Sequence, residues 1–292
     1  MKKKVVITVL CVMSCFMLAS CGKKGNEGKD PLTGEEQNQA EESSSTEGSQ
    51  TGDNRDFDTV LLEASGPMEI MDYLNANLPN ASNEDTKRYL GGLLGFGNDV
   101  RDIDFTQLED SRQYMPEDMI AFMDLMKLEA ETPSMVMSTE ENRKVIGMTL
   151  SEMLERALLF EHHLEKYPDN VTTQAAYKLY EEIALNAISG GYDRENGIDN
   201  YYQGENADEV DQRSLEYYQK FAEANPDSRL GQVVSEYIAL LQSKNFRIDE
   251  DMEQFYRSIP LKLRQQTDQT EGMTEAAGAA NTTTGTTQNV TP

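Results

Sequence analysis

The sequence predicts an all-α domain over residues 57–265, and two observations support that prediction. Apolar side chains in this part of the chain recur at spacings of three and four residues, which is typical of helices that pack one face on a core. Strict alternation of apolar and polar residues, the pattern of half-buried strands, is scarce. The helices are expected to pair as antiparallel hairpins, in one domain or two small ones.

The best-defined helix leads up to Pro168. Apolar residues that step by four and three positions fall on one helical face: Ile146, Leu150, Met153, Ala157, Phe160, Leu164 and Tyr167. Ser138, with Glu141 three residues later, matches a capping box, which indicates that the helical stretch begins near Thr139. We expect a break around Gly147, because glycine weakens a helix.

Three more helices are predicted after this one. The first runs from about residue 171 to 188 and is stopped by Ser189-Gly190-Gly191. The second carries Leu215, Tyr218 and Ala222 and ends at Asn225-Pro226. Ser228 then caps the third, whose buried stripe comprises Leu230, Val233, Val234, Tyr237, Ile238 and Leu241.

Helices are also predicted nearer the start of the domain, over residues 67–78, 82–94 and 116–129, because proline or a capping side chain precedes each one. A run of glycines over 91–97 lacks the Gly-Lys-Ser/Thr ending of a phosphate-binding loop. We interpret it as a helix end followed by a turn, since left-handed helix caps favour glycine.

Two predicted helix endings have similar sequences, EKYPDN at residues 165–170 and EANPDS at 223–228. Each has Pro-Asp followed by a residue that can cap the next helix. This junction resembles the joint between successive tetratricopeptide repeats, which are helical hairpins of 34 residues, and the same spacing separates Pro226 from Pro260. The resemblance implies a repeat-like stack of hairpins, and an irregular helical bundle that uses the same turn is the alternative.

The N-terminus has the layout of an export signal. Lys2, Lys3 and Lys4 precede an apolar segment over residues 5–20, which is shorter than the roughly 20 residues that span a bilayer. The segment closes with Leu-Ala-Ser-Cys21, which resembles the lipobox of bacterial lipoproteins. The resemblance implies that residues 1–20 are a signal peptide that is removed, and that Cys21 is acylated, with palmitate among the expected chains.

This lipidation would place the protein at the extracytoplasmic face of the cell membrane, held by its lipid anchor. Cys11 and Cys15 lie inside the segment to be removed, so Cys21 would be the only cysteine left and no disulfide would form. We expect residues 21–56 to form a flexible linker and residues 266–292 a Thr-rich tail, both disordered, because they have too few apolar side chains to offset the entropy of ordering.

The chain is strongly acidic, with 52 Asp and Glu against 26 Lys and Arg and a formal net charge of −26. Removal of residues 1–20 would take away three lysines and no acids, and would leave −29. A protein of this charge is repelled by nucleic acid and by anionic lipid headgroups, so neither is expected as a partner. Basic protein surfaces and divalent cations are compatible with it.

No catalytic or metal site is predicted. His162 and His163 are adjacent, so on a helix they point about 100° apart and cannot face one metal ion, and we expect them at the surface or its rim. Residues 57–265 contain no Gly-x-Ser-x-Gly, Ser-x-x-Lys or His-Glu-x-x-His motif. We therefore expect neither enzymatic activity nor a cofactor.

The longest internal loop is predicted over residues 189–209, where Tyr192, Tyr201 and Tyr202 lie among acids and amides. Long loops that carry aromatic residues often bind a partner, so these tyrosines are candidate contacts to a ligand or a protein. The alternative is that they pack over the helix ends.

The sequence favours a protein-interaction function. A helical, repeat-like domain at the cell envelope would bind a protein partner along a groove between helices, as a scaffold or adaptor. The alternative is a small-ligand-binding lipoprotein associated with a transporter, although such proteins usually alternate strands and helices. A cell-wall enzyme is the third hypothesis, and it lacks a recognisable catalytic motif.

Overall fold

The computed structural model describes residues 55–206 and 208–265, and over these residues the fold is all-α, as predicted. The predicted signal peptide, Cys21, most of the predicted linker and the predicted tail lie outside the described residues. None of the described helices combines the length and the apolar character needed to cross a membrane.

The α-helices are α1 (Phe57–Glu63), α2 (Pro67–Asn77), α3 (Asn83–Leu94), α4 (Glu117–Glu131), α5 (Leu150–Lys166), α6 (Thr173–Ser189), α7 (Gln212–Ala224), α8 (Arg229–Ser243) and α9 (Glu250–Arg264). Short 3-10 helices lie at Leu78–Asn80, Val100–Asp102 and Phe105–Tyr114. The strands β1 (Met135–Ser138) and β2 (Arg143–Ile146) form an antiparallel hairpin.

The first three helices pack around an aromatic cluster. Phe57 of α1, Tyr73 of α2 and Tyr89 of α3 lie with ring centroids 4.8 to 5.5 Å apart. The predicted helices over 67–78 and 82–94 are confirmed as α2 and α3, and the Ser82 hydroxyl accepts the first-turn N–H of α3 at 3.1 Å. The prediction did not include α1, because its seven residues are too few to show a helical period.

The second half of the chain forms two helical hairpins and a closing helix. α5 packs along α6, α7 packs along α8, and α9 contacts both α6 and α8. Most residues of the predicted apolar stripes are buried, and Phe160, Tyr218 and Tyr237 are all at 0% exposure. Tyr167 and Ile238 are half-buried, and Ile146 lies in β2 and not in a helix. Because α9 returns onto α6, these helices share one core.

A buried carboxylate fastens three of these helices together. Glu161 of α5 accepts a 2.6 Å hydrogen bond from the Tyr180 hydroxyl on α6 and a 2.9 Å bond from the Leu230 N–H on α8. The second bond satisfies a donor at the N-terminus of α8, where the helix dipole favours negative charge. Glu161 therefore has a structural role, because it links α5 to α6 and to α8.

The segment before α5 is a β-hairpin, so the prediction that a helix begins near Thr139 is wrong. The Glu141 N–H does donate to the Ser138 hydroxyl at 3.1 Å, but that bond closes the turn between β1 and β2. Asn142 in the same turn has a φ of 49°, which a right-handed helix does not accept. The helix begins later, where Thr149 and Glu152 form a complete capping box.

α9 is missing from the sequence prediction, which treated Pro260 as a repeat boundary. The structure places Pro260 inside this helix. The signals for the helix are Asp249, whose carboxylate accepts the first-turn N–H of Asp251 at 3.0 Å, and a buried face with steps of four and three residues: Met252, Tyr256, Ile259 and Leu263. An internal proline is expected to break a helix, and here the packing of that face outweighs its cost.

Candidate functional site

Two of the three candidate tyrosines line one cleft. It has a volume of 510 Å³ and lies between the β-hairpin and the loop that follows α6, with α9 contributing to its wall. Tyr192 is half-buried there, and Tyr201 is 66% exposed. The loop therefore presents an accessible aromatic surface beside the hairpin.

The loop is shaped by the end of α6. Gly190 caps this helix in the left-handed conformation with a φ of 61°, and Gly191 follows with a φ of 69°, so the predicted glycine stop is confirmed. The Gly190 carbonyl then accepts the Tyr201 N–H at 2.9 Å. The intervening residues turn back on themselves, with the Asp193 N–H bonded to the Ile198 carbonyl at 3.0 Å. These bonds hold Tyr192 and Tyr201 at the cleft.

Tyr202 points away from the cleft and into the protein. It is 6% exposed, and its ring lies edge-on to Tyr201 with centroids 5.4 Å apart. Burial raises the pKa of its hydroxyl, which has no hydrogen-bond partner among the described residues. Packing, the alternative interpretation of the loop tyrosines, therefore describes Tyr202.

The opposite wall of the cleft is β2, together with Met135 of β1. Lys144 forms a 2.5 Å ion pair with Asp99, and Arg143 forms an ion pair with Glu141. Burial opposes the ionisation of Asp99, but its hydrogen bonds from Lys144 and from the Arg101 N–H lower its pKa to about 2. Asp99 is therefore charged at neutral pH and anchors β2 through Lys144.

A buried ionic network supports the base of the hairpin. The Glu129 carboxylate, 2% exposed, forms ion pairs with Arg156 and with Arg101, whose Nε atom lies 3.2 Å away. It also accepts the N–H of Ser134, next to β1, at 3.0 Å. Arg101 reaches Glu182 of α6 at 3.0 Å, so one network joins α4, α5, α6 and the hairpin. The hairpin wall is consequently fixed to the helical core.

Two further residues at the cleft come from α9, which the sequence prediction did not contain. Tyr256 packs edge-on against Tyr192 with ring centroids 6.2 Å apart, and burial raises its pKa to about 12. Arg257 lies at the rim and pairs with Glu195 at 3.3 Å. The helical spacing of the apolar residues after Asp249 is the signal that could have placed both on one element.

The two histidines have different environments. His162 is exposed, as expected, but His163 is only 5% exposed, so its predicted position at the surface or rim is wrong. The step of about 100° between neighbours turns His163 onto the face that packs on Phe122, where the ring centroids lie 5.8 Å apart. The same helical geometry that keeps the two histidines apart therefore places His163 in the core and leaves His162 at the surface.

His163 is bonded into a buried polar chain. Its Nε2 atom lies 2.9 Å from the hydroxyl oxygen of Thr172, which donates to Asp118 at 3.3 Å. In a nucleophilic triad the histidine lies between the hydroxyl and the acid, whereas here the hydroxyl is central. Thr172 is fully buried, so this arrangement serves packing and hydrogen bonding.

Within residues 55–206 and 208–265, no group of three His, Cys, Asp or Glu side chains is arranged to hold a metal ion. No family model, curated protein or solved structure matches the chain. The function therefore has to be argued from the cleft and from the sequence pattern at the N-terminus.

Proposed function

We propose that this chain is a bacterial lipoprotein, held through Cys21 at the extracytoplasmic face of the cell membrane, whose helical domain binds a protein partner. The charged leader, the short apolar segment and the Leu-Ala-Ser-Cys21 ending support the anchor. The tetratricopeptide-like junctions at residues 165–170 and 223–228 support a hairpin-based interaction module.

The observation that carries the proposal is the cleft beside the β-hairpin. An aromatic side chain that is two-thirds exposed, Tyr201, lies at its edge, and charged groups of both signs line its rim. Tyrosine and arginine are enriched at protein interfaces because each combines a large contact area with polar groups. The hairpin wall of this cleft is fixed by the buried network around Glu129, and the loop wall is held by its own main-chain hydrogen bonds, so a partner would meet a preformed surface.

The small-ligand alternative has one observation in its favour, because 510 Å³ lies within the range of small-molecule sites. Such sites bury most of the surface of their ligand. This cleft is instead open to solvent, with charged rim residues such as Arg257 largely exposed. A protein contact fits that openness better.

Site-specific photo-crosslinking in intact cell envelopes tests the interaction. A photoreactive phenylalanine in place of Tyr201 is expected to give a discrete crosslinked protein. The control places the same residue at Tyr217 of α7, which is 42% exposed and does not line the cleft. Equal products from both positions, or no product from position 201, would contradict the proposed site.

The anchor is tested separately. Cys21→Ser should remove the attachment atom and release the protein from the membrane fraction, whereas Cys15→Ser, inside the predicted signal peptide, should leave it membrane-bound. Fractionation and metabolic labelling with a palmitate analogue measure both properties. An unchanged distribution and label in Cys21→Ser would reject the lipoprotein assignment.

A further inference from the structure

The main-chain groups of β2 fall into two sets. At the base of the hairpin the Gly147 N–H donates to the Ser134 carbonyl at 2.8 Å. Hydrogen-bonded and non-hydrogen-bonded pairs alternate along an antiparallel ladder. Val145 and Arg143 therefore form the hydrogen-bonded pairs with β1. The main-chain N–H and C=O groups of Lys144 and Ile146 point away from β1. The sheet has two strands, so no described strand covers that side of β2.

The uncovered side of β2 faces the cleft. Successive side chains of a strand point to opposite faces of a hairpin, yet all the residues of β2, Arg143–Ile146, line this one cleft. Because β2 supplies all four of its residues and β1 supplies only Met135, the cleft lies beside the β2 edge that points away from β1 and extends over the hairpin face that carries Met135 and Ile146. The outward N–H groups of Lys144 and Ile146 are therefore directed into the space beside Tyr192 and Tyr201.

The charges left without an ion pair in this cleft are negative. Each cation in the lining is already paired with an acid: Arg143 with Glu141, Lys144 with Asp99 and Arg257 with Glu195. Asp193 accepts hydrogen bonds from Asn196 of its own turn, and neither Asp193 nor Asp199 forms an ion pair with a described residue. Together with the net charge of −26, these acids favour an incoming segment that carries Lys or Arg.

The floor of the cleft suits the other side chains of an extended segment. Met135, Ile146, Leu185 and Ile198 are half-buried there and provide apolar contacts. An extended chain advances about 3.3 Å per residue, so the edge of β2 matches a segment of about four residues. Alternate side chains of that segment would meet the apolar floor and the acidic loop.

We infer that a basic, extended segment of the partner protein adds to the edge of β2 as a third strand, an inference that rests on the proposed interaction function. Main-chain hydrogen bonds from Lys144 and Ile146 would hold the segment, and its Lys or Arg side chains would face Asp193 and Asp199. This mode of recognition uses the backbone for affinity and the alternating side chains for selectivity.

Two pools of labelled heptapeptides test the chemistry of the segment against the full chain. In both pools Val, Leu or Tyr alternates with a charged residue, which is Lys or Arg in one pool and Asp or Glu in the other. Fluorescence anisotropy is expected to show saturable binding for members of the basic pool only. Equal binding of the two pools, or no binding by the basic pool, would overturn the inference.

A matched pair of variants tests the strand edge. Lys144→Pro removes the outward N–H without removing a bond of the hairpin, because proline is tolerated where the N–H of an edge strand faces outward. Lys144→Ala removes the same side chain and keeps the N–H. We expect Lys144→Pro to bind the basic peptides at least 10-fold more weakly than Lys144→Ala does. Equal affinities of the two variants would contradict the proposal.

Hydrogen exchange of the free protein identifies other occupants of the edge. The amides of Lys144 and Ile146 should exchange quickly in the full chain and slow down when a basic peptide binds. Slow exchange before peptide is added would mean that a second copy or another segment of this chain covers the edge, which contradicts the inference.

The two proposals can fail independently. If position 201 crosslinks a partner equally well in Lys144→Pro and Lys144→Ala, the cleft binds a protein without strand addition. Suppose instead that position 201 gives no crosslink, while basic peptides bind Lys144→Ala more tightly than Lys144→Pro. The interaction proposed for the cell envelope then fails, and the addition of a basic strand to β2 is still supported.

Discussion

Gly190 and Asn200 lie so close together that a Cβ atom at position 190 would meet the Asn200 side-chain oxygen at 2.0 Å. Asn200 is 1% exposed, and the same oxygen accepts the Tyr202 N–H at 2.6 Å. The contact therefore closes the loop that brings Tyr201 to the cleft. The position requires glycine for its positive φ and also for this close approach.

Gly190→Ala should consequently lower the free energy of unfolding by more than the cost of placing alanine in the left-handed conformation. Gly191→Ala is the matched control, because Gly191 also has a positive φ but its added Cβ would lie at an ordinary 3.7 Å from Asn186. We expect Gly191→Ala to cost about 1 kcal/mol, from the left-handed conformation, and Gly190→Ala at least about 2 kcal/mol more. Urea denaturation measures both free energies of unfolding.

Similar losses in the two alanine variants would show that Asn200 moves aside freely. In that case the loop is not held by this contact, and the position of Tyr201 would have to depend on the other bonds of the loop. A smaller loss in Gly190→Ala when Asn200 is also replaced by glycine would instead confirm the contact with the Asn200 side chain, and the Tyr201 main-chain nitrogen, 2.9 Å from the added Cβ, would keep part of the cost.

The buried acid under the hairpin gives a second prediction. Glu129→Ala removes the carboxylate that Arg156 and Arg101 share. The Glu129 side chain is only 2% exposed, so the two guanidinium groups lose this partner in a buried site. Removing one member of a buried ion pair typically costs about 3–5 kcal/mol, because the remaining charge is buried without compensation. We expect a loss of this size in urea denaturation, together with faster hydrogen exchange across β1 and β2.

The control for this prediction is Glu195→Ala, which removes the partner of Arg257 at the rim of the cleft. Both side chains of that pair are more than two-thirds exposed, at 71% and 82%, so the change should stay within about 0.5 kcal/mol. A comparably small effect of Glu129→Ala would mean that the network does not stabilise the hairpin.

Most of the helices were predictable because they combine an apolar face with a local signal at one end. α8 shows both, with Ser228 at its N-terminus and an apolar stripe in which Val234 and Tyr237 are fully buried. Such signals lie within a few residues of each other, so a single sequence contains them. The prediction missed α9 because it treated Pro260 as a repeat boundary, although the apolar residues around this proline keep a helical spacing.

The hairpin was not predictable in this way, because its strands have no alternating pattern. β1 has two exposed residues side by side, Val136 and Met137, and one of the contacts of β2, the ion pair between Lys144 and Asp99, joins residues that are 45 positions apart in sequence. The loop tyrosines could be proposed as contacts from composition alone. Which of them reach the cleft depends on Gly190 and on the packing of Tyr202, and neither follows from local sequence.

The corrected start of α5 gives a third prediction. Thr149→Ala removes the side chain that caps the helix and accepts the Glu152 N–H, and it should cost about 1 kcal/mol of unfolding free energy. Ser138→Ala removes only the 3.1 Å bond in an exposed turn and should cost less than about 0.5 kcal/mol. If Ser138→Ala were the more destabilising of the two, the original prediction of a helix from Thr139 would be favoured.

The pH dependence of stability provides a fourth prediction, centred on His163. Burial lowers the pKa of this imidazole below 6.5, the nearby Asp118 carboxylate opposes the shift, and Lys166 adds to it. The unfolded chain therefore binds this proton at a higher pH than the folded protein. The stabilisation is present above about pH 6.5 and is lost as the pH falls through the folded-state pKa.

Urea denaturation at pH 7.5 and pH 5.5 measures this effect as a difference between variants, so that the carboxylates common to all of them cancel. A single proton contributes at most about 1.4 kcal/mol per pH unit, and we expect the unmodified chain to lose on the order of 1 kcal/mol more than His163→Gln over this range. His162→Gln, at an exposed position, is the matched control for the substitution itself. Equal pH dependence in the unmodified chain and in His163→Gln would contradict the buried chain from Asp118 through Thr172 to His163 as its source.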